Sequence, residues 1–165
     1  MITPEYVRTM ARYNAWQNRS LYGAADTLDE VARKQDRGAF FGSIHNTLSH
    51  ILWGDTLWMS RFDGWTAPDA PIGESGGSIS DWGALKQARL QADARIIDWG
   101  ARVKSADFAG ELCWYSGAVE REVCKPRALL IMQIFNHQTH HRGQVHAMLT
   151  AAGAKPDDTD LPFME

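Results

Sequence analysis

Four of the six histidines fall inside twelve residues, Phe135 to His146, reading Phe-Asn-His-Gln-Thr-His-His-Arg-Gly-Gln-Val-His. On a helix, His137 and His141 lie four apart and stack on one face. Leu130, Ile134, Val145 and Met148 share that face, so both imidazoles interrupt an apolar stripe. A polar group in such a place needs a partner or costs free energy. Two histidines at i, i+4 on a buried face present two nitrogens to one metal ion, which still needs at least a third ligand. His146 falls on a solvent-like side with Thr139, Arg142 and Thr150. His140 reads as a satisfied core residue.

The third nitrogen must come from another element, and residues 40–62 are the richest source. Phe41, Ile44, Leu48, Ile51, Leu52, Trp58 and Phe62 give this stretch a broad apolar face, which fits a central helix. It carries His45 and His50, five apart and so about 140° apart around the axis. They cannot face the same point, and spacing alone does not choose between them. Asp55, on the same helix, either orients a ligand histidine through a hydrogen bond or accepts an arginine.

Three further helices are expected. Residues 3–28 open with Thr3 as cap, Pro4 and Glu5 in the first turn, and Tyr6, Met10, Tyr13 and Leu21 at helical spacing. Residues 28–38 are charged and read as a loop or short turn. Ser80 caps a helix running to about residue 104, and Pro126 starts the histidine helix, which stops at Gly153. Between the helices lie a Gly-, Pro- and Ser-rich loop at 63–80, long enough to sit near function, and a stretch at 111–125. There Leu112, Trp114, Val119 and Val123 flank Ser116-Gly117, the pattern of a small hairpin. The tail, 154–165, is expected to be extended.

The fold class is therefore all-α: an antiparallel four-helix bundle with a short irregular or hairpin segment before the last helix, in one domain over 1–165. Hydrophobic residues make up 44% and charged residues 22% of the 165, with a net charge of −3. That balance offers no basic footprint for nucleic acid. No signal peptide opens the chain, and no apolar run reaches the ~20 residues needed to span a bilayer. A cytoplasmic protein is expected. Cys113 and Cys124 are too few for a disulfide framework and lack metal-ligand spacing, so both read as structural. Gly143, mid-helix, points to close approach of another helix or subunit. The seven tryptophans read as core and cleft packing.

The sequence resembles the DinB-like (DNA-damage-inducible) proteins over nearly its whole length. The resemblance rests on Tyr13-Asn14-Ala15-Trp16, on Gly42 to Leu52 with Asp55 and Trp58, and on Asn136-His137-Gln138-Thr139-His140-His141-Arg142-Gly143-Gln144. Gly153 and Thr159-Asp160-Leu161 extend it. It implies a four-helix bundle, a homodimer, and a divalent metal held by His50, His137 and His141, which resolves the choice between His45 and His50. It also implies that some relatives are transferases or isomerases using a low-molecular-weight thiol.

Three protein ligands leave positions open on an ion, the pattern of a catalytic site. A neutral ligand set leaves its full charge to lower the pKa of a bound water toward ~7, or to activate a thiol. The reading is a metal-dependent enzyme with a small-molecule substrate, either a hydrolase or a thiol-dependent transferase. The alternative is a non-catalytic metal-binding stress protein. Zinc or nickel suits three imidazoles, as does iron. Gln138 stands where a His-Glu-x-x-His motif has its base, which weighs against protease-like chemistry. An enzyme's open site should face a pocket lined by the 63–80 loop and tryptophans.

Overall fold

A computed structural model describes residues 2–117 and 119–164. Helix α1 (Pro4–Asp26) begins where Thr3 Oγ1 accepts the Tyr6 amide at 3.2 Å. Helix α2 (Glu30–Lys34) is short: Asp29 caps it through the Ala32 amide, with Glu30 at its positive end and Arg33 and Lys34 at its negative end. It buries no side chain, so its charged sequence carries no apolar stripe and reads as loop. Helix α3 (Ile44–Phe62) starts later than the apolar run implies. Gly42 takes φ +77°, outside helical space, and Ser43 Oγ caps the Asn46 amide at 3.1 Å.

Residues 63–80 contain a 3-10 turn at Ile72–Gly77 that rests on α3. Helix α4 (Trp82–Arg102) is capped by Asp81 and not by Ser80, because the Asp81 carboxylate accepts the Ala84 amide at 2.7 Å. A second 3-10 turn (Ser105–Phe108) leads to strands β1 (Glu111–Ser116) and β2 (Arg121–Pro126), an antiparallel hairpin running directly into α5 (Arg127–Ala151). The register sets Cys113 opposite Cys124, and the two form a disulfide. The hairpin is anchored to α3 by Trp114, edge-on to Trp58 with ring centroids 5.6 Å apart, and Arg61 lies over both rings. The tail is extended except for a 3-10 turn at Leu161–Phe163. It is strapped to α1: Tyr13 donates to the Thr159 carbonyl, Gln17 to that of Asp158, and the Asp157 amide to Ser20.

The protein is thus mostly helical, with several packed helices and a small β hairpin. It is not strictly the expected four-helix bundle, since α2, the 3-10 turns and the hairpin add to the four long helices. Helix α1 lies against α4 and α5, and α3 against α5 and α4. Ala11, Leu48, Ile51, Ile96, Ile134 and Leu149 are among the side chains that close the core between them. Among the described residues, no helix is long and apolar enough to cross a membrane.

A buried polar circuit ties all four long helices together. Asp55 on α3 accepts Arg89 Nη1 at 2.6 Å and Gln138 Nε2 at 2.8 Å. Arg89 pairs with Asp93 on α4, Asp93 accepts Asn14 and Asn18 of α1, and Asn14 accepts Arg142 of α5. Gln138 and Arg142 are one turn apart on α5, so the circuit closes. Asp55 is therefore an arginine acceptor, and the residue it holds on α5 is the neighbour of His137.

Candidate metal centre

The structure brings His50 of α3 to His137 and His141 of α5, with one nitrogen from each lying within 4.8 Å of the others. His50 and His141 are buried and His137 is half-buried. His50 Nε2 lies 3.0 Å from His137 Nε2. Tetrahedral zinc with Zn–N near 2.0–2.1 Å would separate its ligand nitrogens by about 3.3 Å. The His50–His137 pair is therefore close to the spacing a single ion asks for, with the His141 nitrogen within 4.8 Å of both.

Proton positions follow from the neighbours. Ser75 Oγ donates to the Ile72 carbonyl at 2.7 Å, so toward His50 Nδ1, 2.8 Å away, it can only accept. His50 then carries its proton on Nδ1 and turns a lone pair on Nε2 to the cluster. His141 Nδ1 lies 2.8 Å from Gln144 Oε1, a pure acceptor, which likewise frees its Nε2. His137 Nδ1 is buried without a hydrogen-bond partner. His50 and His141 thus turn Nε2 lone pairs to the cluster, and His137, whose proton no other neighbour fixes, can offer a third to a cation.

Burial, then the positive charge that His137 and His141 would carry, pushes His50 from the ordinary imidazole value of 6.5 down to about 3. Burial and His141 bring His137 down to about 4, and His141 is lowered chiefly by burial. All three are neutral at pH 7 and ready to donate lone pairs.

Packing holds the rings. Phe41 lies flat on His50 with centroids 3.8 Å apart. Gly54, one turn beyond His50, makes room for His137: a Cβ there would stand 2.8 Å from His137 Cε1. The cluster opens onto a cavity of about 740 Å³ whose walls include Phe40, Phe41, Ile72, Gly73, His140 and Gln144. The 63–80 loop contributes, but the expected tryptophans do not form this wall. Trp53 stacks beside His50 with centroids 6.0 Å apart, and with Trp65 it lines a different cavity of about 460 Å³ between α3 and α4.

The other histidines lie elsewhere. His45 is buried, with Nε2 2.8 Å from the Ile79 carbonyl; its Nδ1, like that of His137, is buried without a hydrogen-bond partner. His140, expected in the core, is exposed on the rim. His146 is half-buried beside Tyr13 and Thr159. Gly143 is exposed, and among the described residues a methyl group added there would meet nothing within 4 Å. Sequence reasoning missed Ser75, Gln144, Phe41 and Gly54. Of these, Gln144 at i+3 from His141 and Gly54 at i+4 from His50 carry a helical spacing that could have found them.

The sequence model of the DinB family matches residues 1–165. "Protein DinB" of Bacillus subtilis (strain 168) is 24% identical over 160 residues, covering 94% of this chain and 91% of that protein. The crystal structure of a DinB-like protein from Bacillus cereus ATCC 10987 superposes with a TM-score of 0.63 at 14% identity, over 87% of this chain and 90% of that one, a likeness of fold.

Proposed function

The chain belongs to the DinB family, and on that premise we propose that His50, His137 and His141 bind one divalent metal ion in a small-molecule enzyme. Zinc or nickel is the ion proposed, with iron also compatible with three imidazoles. The observation that carries the reading is the convergence of three imidazole nitrogens at the wall of an open cavity. A structural zinc site closes its coordination with four protein ligands; among the described residues this group comprises three. Bound there, a divalent ion would supply Lewis acidity toward a substrate oxygen or thiol.

The chain's own part is orientation and exclusion of water. Ser75 and Gln144 hold two imidazoles in the tautomer that offers Nε2. Phe41 screens the His50 ring from solvent. Gln138, in the position of a motif base, is buried and committed to Asp55. Among the described residues, no Asp or Glu lines the cavity. The chain thus brings no carboxylate base to the cavity, and activation of either a water or a low-molecular-weight thiol would fall to the ion itself, so the reading is a hydrolase or a thiol-dependent transferase.

Elemental analysis after dialysis tests the site. His50→Ala, His137→Ala and His141→Ala should each lose the metal, while His140→Ala and His146→Ala should keep it. Full retention by the first three sinks the site. A screen for thiol-dependent turnover tests the chemistry, and retained metal without any turnover would support the non-catalytic alternative.

A further inference from the structure

Two large apolar side chains stand exposed at the mouth of the histidine cavity, Phe40 at 83% and Ile72 at 51%. Phe40 is held out by backbone. Its turn is bounded by Gly38 and Gly42, with φ of +74° and +77°, and pinned by the Gly42 amide on the Ala39 carbonyl and the Arg37 amide on the Gly42 carbonyl, both at 2.8 Å. Phe40 meets Phe41 edge-on at 4.9 Å, and Phe41 stacks on His50. Aromatic surface therefore runs unbroken from solvent to an imidazole of the cluster.

The polar content of the same wall is small and mostly committed. Gln144 accepts from His141 through Oε1, and its amide nitrogen lies 3.4 Å from His140 Nε2. Among the described residues, no Lys, Arg, Asp or Glu lines the cavity. A ligand charged away from its metal-directed atom would lose hydration there without meeting a countercharge. A cavity of about 740 Å³ suits a small molecule.

We propose that the site selects a ligand whose body is uncharged and aromatic or branched-aliphatic, packed on Phe40 and Ile72, with one donor atom turned to the three histidines. The inference rests on the metal-site reading for the donor atom. The apolar selection rests on the wall itself.

The test starts from zinc-loaded protein whose metal content has been measured. Calorimetric titration compares phenylacetohydroxamic acid with succinic acid monohydroxamate, which share a metal-binding head and differ in a phenyl or carboxylate body. The phenyl probe should bind about tenfold more tightly, the effect of withdrawing roughly 60 Å² of apolar surface from water. Phe40→Ser and Ile72→Ser, exposed positions whose change leaves the core untouched, should each erase most of that advantage and leave the carboxylate probe within about twofold. Metal-free protein is titrated in parallel with a neutral, solvent-sensitive naphthalene ketone fluorophore, which should bind at one site per chain and weaken in Phe40→Ser. Equal affinity of the two hydroxamates for protein that retains its zinc overturns the proposal and leaves the metal reading standing. Protein that retains none of zinc, nickel or iron refutes the metal reading, and the fluorophore arm then decides apolar selection alone. A dimer that Phe40→Ser dissociates, with fluorophore binding falling as protein concentration rises, shows a second copy on this mouth and overturns the proposal as well.

Discussion

Gly54 and Ser75 act on the cluster without offering it a nitrogen, and they act differently. Ser75 decides which nitrogen of His50 bears the proton, because its own hydrogen is spent on the Ile72 carbonyl. Gly54 decides where the His137 ring can stand, because a methyl group would sit 2.8 Å from Cε1. Gly54→Ala should therefore push His137 away from His50, at a cost of about 1–3 kcal/mol in stability and with a marked loss of metal. Ser75→Ala should keep the fold and weaken metal about 10- to 100-fold. Competition titration with a chelator separates the two, and unchanged affinity in both would deny them this role. The His137–His141 pair was legible because an i, i+4 spacing survives any tertiary arrangement. His50 could not be separated from His45 by periodicity, since both lie on a helix buried nearly all round. The Ser75 contact joins residues 25 apart through a 3-10 turn with no periodic signal.

At the scale of elements, caps and apolar stripes located the four long helices to within a few residues. The largest discrepancy was at the start of α3, where a positive φ at Gly42 stopped the helix and an apolar count could not see it. The hairpin was expected, but its turn was centred too early. With the turn at Ser116-Gly117, Cys113 and Cys124 would not meet; the actual register pairs Ser116 with Arg121 and sets them opposite each other. Both cysteines are exposed. Reductant followed by an alkylating reagent should therefore label both in folded protein, without denaturant, as read by intact mass. The helical circular dichroism should persist, because the hairpin's grip on α3 runs through Trp114 and Arg61 and not through sulfur. Labelling that needs denaturant would contradict this.

For the whole molecule, the three neutral histidines link stability to pH. An unfolded chain takes up protons below the ordinary value of 6.5, while His50 and His137 hold out to about 3 and about 4. The sign follows: the unfolded state binds more protons in that window, so stability of the metal-free protein is full above pH 6.5 and falls as pH drops toward 4. Urea midpoints measured between pH 7.5 and about 4.5, above the carboxylate range, should decline, and His50→Gln should flatten the slope. A midpoint independent of pH would count against it. Assembly as a homodimer packed through helices stands as a proposal. Gly143 is exposed with open space above it, which leaves room for a second subunit, and Leu90 of α4, 60% exposed beside Gly23 of α1, offers a helical face. Light scattering that gives a monomer at every concentration would remove it.

The buried circuit through Asp55, Arg89, Asp93, Asn14, Arg142 and Gln138 also constrains how this sequence can drift over generations. Losing Arg89 alone strands two carboxylates away from water, at about 3–5 kcal/mol, set against a total stability of about 5–15 kcal/mol for a domain. Lineages that replace one member must pass through a weakened ancestor or change two positions nearly together. Helices α1, α3, α4 and α5 are bound to one another by heredity as well as by contact, and a substitution tolerated in one depends on what the other three already carry.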